Sequence, residues 1–200
     1  MSASAALSLV LFAATALFGA ASAQSDAPLP EELILSLQGG GYVVYIIHAE
    51  AEKDIVIAPG ASPSARCASP FALTEVGAAK AEAIGGGFER LDIPVTEVVA
   101  AACCGAWQMG RNAFAATTIS ISPEAEALEA ARTPSRPDPL MQGPMPIGRP
   151  DNLVIIGHAE ALSDVIEGVE EMPGTAHLLR NEGGGFVLEG TIPPDAWLGL

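Results

Sequence analysis

The chain has 200 residues, 24 Asp and Glu against 9 Lys and Arg, a formal net charge of −15, and half its residues hydrophobic. At a mean hydropathy of +0.36 it carries enough apolar surface for a buried core, which excludes a disordered chain, and its length bounds it to one ordinary domain. A pI near 4.3 sets up a field that repels phosphate backbones, so no nucleic-acid partner is expected.

Residues 1–23 contain an Ala-rich apolar run, Ala5 to Ala20, closing on Ala21-Ser22-Ala23 before Gln24. The small-x-small ending predicts an export signal cut before Gln24. The run is near the short end for a spanning helix, so no stable membrane span is expected after cleavage. In an oxidising compartment the 3 cysteines allow one bridge and one spare thiol. Cys67 with Cys104 or Cys103 is the expected pairing, Cys67–Cys104 first.

Glu31 to Gln38 reads as a short amphipathic helix stopped by Gly39-Gly40-Gly41, and Tyr42 to Ile47 is a continuously apolar, β-rich run of the kind buried in parallel sheets. Thr74 is the expected N-cap of a helix with Glu75 in its first turn and helix formers from Ala78 to Leu91, where Ile84, Phe88 and Leu91 share a face. Ile93 to Ala102 predicts a second strand, followed by a helix through Trp107, Arg111 and Phe114. From Ile119 to Pro150 the chain is proline-rich and reads as a surface loop, with a short helix candidate over Glu124–Ala131. Asn152 to Gly157 is another buried strand and ends in His158; a helix over Ala159 to Val169 is expected next. The tail predicts a hairpin of Ala176–Leu179 and Phe186–Ile192, with His177 as an exposed strand residue. Strands alternating with helices give an α/β fold, a three-layer αβα sandwich on a mostly parallel sheet.

Two of the 3 histidines, His48 and His158, each stand at the end of a buried strand in the matched contexts Ile-Ile-His-Ala-Glu and Ile-Ile-Gly-His-Ala-Glu. Ligands collect beyond the carboxyl ends of strands in open α/β sheets, so the pair points to one shared site. A single such histidine reads more simply as a polar residue satisfied at a strand end.

The segment Gly40 to Glu50 resembles the first strand and catalytic loop of the histidine phosphatase (phosphoglycerate mutase-like) superfamily, whose signature is Arg-His-Gly-Glu-Thr. Further segments agree in order: Leu73-Thr74-Glu75 with Gly77, Ala81 to Gly85, Leu91 to Val95, Cys104 with Ala106, Asn152 to His158, and Gly184 to Trp197. The likeness covers most of residues 31–198 and is nearest to the small exported bacterial branch, which implies a periplasmic or secreted location. It implies a site where a phosphate sits between two histidines and two arginines. His48 takes the position of the nucleophile that receives the phosphoryl group, and His158 that of the second histidine.

The arginines do not carry over. Ile47 occupies the position before the first histidine, and Gly105 that of the arginine in the second motif. An arginine further on is replaced near Pro70 or Phe71, another by Ala78, and the family's Glu-Thr-Ala has become Gln108-Met109-Gly110. Phosphoryl transfer depends on positioning and charge stabilisation, and loss of one such arginine costs on the order of 10³ to 10⁵ in rate. Without them, Glu50 is expected to favour a protonated His48, which cannot attack phosphorus.

The leading expectation is therefore an exported histidine-phosphatase-fold protein with weak or no phosphatase activity and a pocket for a small phosphorylated or anionic ligand. The alternative is an active phosphomonoesterase in which Arg66 or Arg111 reaches the phosphate and Glu50 or Glu160 serves as general acid. For Glu160 the simpler role is a first-turn carboxylate favoured by the helix dipole, and for Arg66 and Arg111 it is a surface position, where long basic side chains usually sit. No cofactor and no metal is implied. A set of His48, His158 and Glu50 or Glu160 is the arrangement a metal would use, which the missing arginines make electrostatically easier.

Overall fold

The computed structural model describes residues 30–53, 55–67, 73–123, 127–128, 151–182 and 185–199. The leader 1–23, Pro70 and Phe71, most of the Glu124–Ala131 helix candidate and the proline-rich stretch up to Pro150 lie outside these residues.

Helix α1 (Pro30–Gly39) ends where Gly40 and Gly41 take positive φ, 72° and 88°, a backbone region open to glycine. The chain then enters β1 (Val43–Ile47), buried at every position. Val44 and Ile46 face one apolar cluster, Val43, Tyr45 and Ile47 another, which is why the run is apolar without alternation. After the single turn α2 (Pro63–Arg66) comes α3 (Glu75–Arg90). Thr74 caps it as expected, its hydroxyl accepting from Gly77 N–H. Ile84 and Phe88 are buried from this helix against the face that also takes Trp197 and Phe114.

Strand β2 (Val95–Ala100) and helix α4 (Cys104–Ala113) follow, then β3 (Ile119–Ile121), β4 (Asn152–Gly157), α5 (Ala159–Ser163), β5 (Ala176–Glu182), β6 (Gly185–Ile192) and α6 (Ala196–Gly199). The sheet order is β3-β2-β4-β1-β5-β6. β1, β4, β2 and β3 run parallel, and β5 pairs antiparallel to both its neighbours. Residues of α1, α3, α4 and α6 cover one face, and Ala159 and Leu162 of α5 the other, completing three layers. Asn152 ties the layers at the strand start: its Nδ2 donates to Leu37 and Pro94 carbonyls, and its Oδ1 accepts from Tyr42 N–H.

Four expectations change. Ile119–Ile121 is a strand rather than loop, because pairing with β2 satisfies three residues too short to show a period. α5 stops at Ser163 instead of running to Val169: the Leu162 carbonyl accepts from both Val165 and Ile166 N–H, and Gly168 then turns with φ 79°. The hairpin strands extend beyond the expected ends, to Glu182 and from Gly185.

The fourth is His177, which is fully buried. β5 lies inside the sheet, and His177 pairs with Tyr45 of β1. Its Nε2 accepts from Glu170 N–H at 3.1 Å, so the neutral ring carries its proton on Nδ1, a buried atom without a hydrogen bond of full geometry. Burial lowers the pKa from the usual value of 6.5, against weaker opposing pulls from the Tyr45 backbone and the Glu170 carboxylate. Below about 6.5 the unfolded chain takes up a proton that the folded chain refuses. The stability this residue contributes is therefore whole above that pH and lost as pH falls towards the folded-state value. In an NMR titration the His177 Cε1 proton should titrate with a midpoint below pH 6.5; a midpoint at or above that value would contradict the assignment.

Candidate functional site

β2, β4 and β1 are neighbours, and each gives way at its carboxyl end to a side chain with chemistry: Cys103 after β2, His158 after β4, His48 after β1. The parallel ladder continues into the site. His48 N–H donates to the Gly157 carbonyl at 2.8 Å, and Ala101 N–H donates to Ile156 at 2.8 Å. These bonds fix where the loops leave the sheet, so the rings meet: the His48 and His158 centroids are 4.7 Å apart, edge to face at 89°.

His48 is half-buried, and its Nδ1 lies 2.9 Å from the Ala49 carbonyl. A carbonyl only accepts, so Nδ1 carries a proton, and the neutral tautomer compatible with this contact has its lone pair on Nε2. Ala49 N–H is in turn held by Met109 Sδ at 3.2 Å. The His158 carbonyl accepts from the buried Tyr45 hydroxyl at 2.9 Å. This Tyr45 contact had no signal in the sequence beyond a polar-tipped residue in a buried strand.

Gly105 sits in the first turn of α4 directly against the pair. A Cβ placed on it would lie 3.3 Å from His48 Nδ1 and 3.3 Å from Ala51 Cβ. Position 105 therefore points at His48, and glycine puts nothing there. Ile47 is buried among Val43, Tyr45, Leu162 and Ala159 on the far face of the sheet.

The two carboxylates have different surroundings. Glu50 Oε1 accepts from Lys80 Nζ at 2.5 Å, and Lys80 also donates to the Pro173 carbonyl at 3.1 Å. Glu50 thus has its charge matched by lysine rather than directed at His48 as expected. Glu160 is exposed in the first turn of α5. Arg66, at the end of α2, and Arg111, in the last turn of α4, are both exposed. Arg111 follows Gly105 by six residues, about 240° around the helix, so it leaves α4 on a different side from the one facing His48.

The Cys67–Cys104 disulfide is present, sealed in a small apolar cluster with Ile57. Cys103 is the free cysteine and is buried. Gln108 donates to the Cys67 carbonyl and accepts from Leu73 N–H. It holds the loop beneath the site. Cys103 is the site residue that sequence reasoning missed; its only trace there was a thiol left over beside Cys104 at the end of a strand.

No family model matches the chain, and no curated protein does. Solved structures do. The protein histidine phosphatase SixA complexed with tungstate aligns at 11% identity over 77% of this chain and 97% of that one, with a TM-score of 0.50. YhfR of Bacillus stearothermophilus aligns at 11% identity over 76% and 98%, TM-score 0.48. Phosphoserine phosphatase of Entamoeba histolytica in complex with 3-phosphoglyceric acid aligns at 11% over 76% and 96%, TM-score 0.47. At such identities the likeness is one of fold: the mixed α/β, six-stranded architecture is that of phosphoglycerate mutase-like histidine phosphatases.

Proposed function

We propose that this chain is an exported protein of histidine phosphatase fold in which phosphate chemistry is weak or absent, and whose pocket is put to another use. The observation that carries the reading is glycine at position 105. A side chain there projects at His48, so an arginine would lay its guanidinium beside the ring, on any oxyanion held between His48 and His158. Glycine leaves that oxyanion without a fixed bidentate donor. Ile47 replaces a second cation with an apolar side chain packed into the core. With a net charge of −15 and, among the described residues, no guanidinium at positions 47 and 105 to offset it, a phosphate is held poorly, and the transition state loses the stabilisation that dominates this kind of transfer.

His48 keeps the orientation a nucleophile needs, with Nδ1 tied to the Ala49 carbonyl, so that in the neutral ring the lone pair is on Nε2. The pocket is thus disarmed in its electrostatics more than in its histidine geometry. Export rests on the leader ending Ala21-Ser22-Ala23 and agrees with the formed disulfide. Among the described residues no helix is long and apolar enough to cross a membrane. A small phosphorylated or anionic compound is the ligand class against which the pocket should be tried, since the SixA structure of this fold holds tungstate.

The test is hydrolysis of a generic aryl phosphate by the purified chain from Gln24 on, beside His48→Ala and Gly105→Arg. Turnover by the parent should be indistinguishable from that of His48→Ala, and Gly105→Arg should exceed both. Parent turnover that His48→Ala abolishes would show an active phosphomonoesterase and overturn the reading.

A further inference from the structure

One ligand atom from each of His48, Cys103 and His158 lies within 4.8 Å of the other two, and these residues form a group able to hold a metal ion among the described residues. We propose that they form a binding site for a single d10 transition ion, Zn²⁺ or Cu⁺. The proposal deepens the reading above in one respect, in that it takes the pocket to be free of guanidinium.

The donor set argues for the ion. Two imidazoles and one thiolate are borderline-to-soft ligands, which suit zinc and cuprous ions and do not suit calcium or magnesium. Tetrahedral bonds of about 2.0–2.3 Å place neighbouring ligand atoms roughly 3.5 Å apart. The trio must therefore contract by about 1 Å, within reach of small side-chain rotations, and a d10 ion imposes no ligand-field geometry on the result. Three protein ligands leave a fourth position open to water or an anion.

The supporting shell is of the kind metal sites use. His48 gives a ring N–H to the Ala49 carbonyl, which in the neutral ring fixes the tautomer and leaves Nε2 as the ligating nitrogen. Tyr45 anchors the His158 backbone. Cys103 is placed by its own N–H to the Ala101 carbonyl at 2.7 Å and by its carbonyl, which accepts from Trp107 N–H. Cys104 is locked to Cys67, so the neighbouring thiol is left unpaired. On binding, Cys103 releases its proton to solvent and forms the metal–sulfur bond, with no change in oxidation state.

Electrostatics favour a cation in a pocket that would otherwise hold phosphate. The chain's charge attracts cations, Ile47 and Gly105 bring no positive charge, and Lys80 is engaged by Glu50. Among the described residues the group is two histidines and a cysteine rather than two histidines and a carboxylate: Glu160 is exposed and Glu50 is paired with Lys80.

The experiment loads the purified chain, kept free of reductant and passed through chelator, with Co²⁺ as a spectroscopic stand-in for zinc. Zn²⁺ and Cu⁺ are then titrated in separate arms against coloured chelators. The expected result is one ion per chain and a thiolate-to-cobalt charge-transfer band in the near ultraviolet. Since Cys103 is the only free thiol, the band in the parent assigns the ligand without any variant. Cys103→Ser should lose the band, and His158→Asn should weaken retention of the preferred ion by at least about tenfold. Absence of the band, or stoichiometric binding unchanged in Cys103→Ser, overturns the proposal. Because the readout is metal and not turnover, its failure is distinguishable from that of the phosphatase reading.

Discussion

Gly85→Ala should destabilise the chain by about 3 kcal/mol, a large share of the 5–15 kcal/mol typical of a folded domain. A Cβ at 85 would lie 2.1 Å from the Ala113 carbonyl oxygen and 2.7 Å from Ala113 C and Cα. All three are backbone atoms, and no side-chain rotation relieves such a contact. α3 and α4 would have to part where they cross. The gain in helix propensity on leaving glycine, about 1 kcal/mol, is too small to offset this. The adjacent Gly86 supplies the control. Its nearest neighbour is the Arg90 Nη1 at 2.9 Å, the far end of a flexible side chain, so Gly86→Ala should be neutral or up to about 1 kcal/mol stabilising. Denaturant midpoints of the two variants should move in different directions from the parent. Equal shifts would mean that the close crossing of α3 and α4 is not what requires Gly85. The consequence extends to the site, because α4 carries Gly105 towards His48 and Met109 beneath Ala49.

Loss of the Cys67–Cys104 bridge should have an effect of similar size by a different route. The bridge closes a separation of 37 residues, for which the chain-entropy model gives about 4 kcal/mol of stabilisation. For a chain of this size that corresponds to roughly 8–16 °C in Tm. Thermal melts of the parent with and without reductant, and of a Cys67→Ala/Cys104→Ala double variant, measure it. A Tm that shifts by less than about 2 °C would mean that the surrounding contacts of Ile57, Ile55 and Trp107 hold the loop unaided. Reduction would also free Cys104 beside Cys103, so the metal and bridge predictions are coupled: a reduced chain offers thiols that the oxidised one does not.

Much of the fold was legible because its signals are local. The apolar runs at Val43–Ile47 and Asn152–Gly157 mark strands buried on both faces. Thr74 marks a helix start that the structure confirms by its bond from Gly77. The paired contexts of His48 and His158 pointed to one site, and the rings do meet. Where expectation failed, a partner distant in sequence made the decision. Ile119–Ile121 becomes a strand only because β2 lies beside it. His177 is buried because β5 is flanked by β1 and β6, which alternation along a single strand does not reveal.

The sequence by itself determined the α/β class, the strands that end in histidine, and the absence of arginine at positions 47 and 105. These follow from residue identity and short-range periodicity, and the backbone obeys them wherever it goes. Tertiary structure alone decided that Cys103 joins the two histidines and that Lys80 claims Glu50. Each depends on which strand lies next to which and on the rotation of a helix about its axis. β4 enters the sheet between β1 and β2, bringing three loop ends to one point although they are far apart along the chain. Side-chain chemistry at such a point is set by distances of a few ångströms, and these emerge only when the sheet order is fixed.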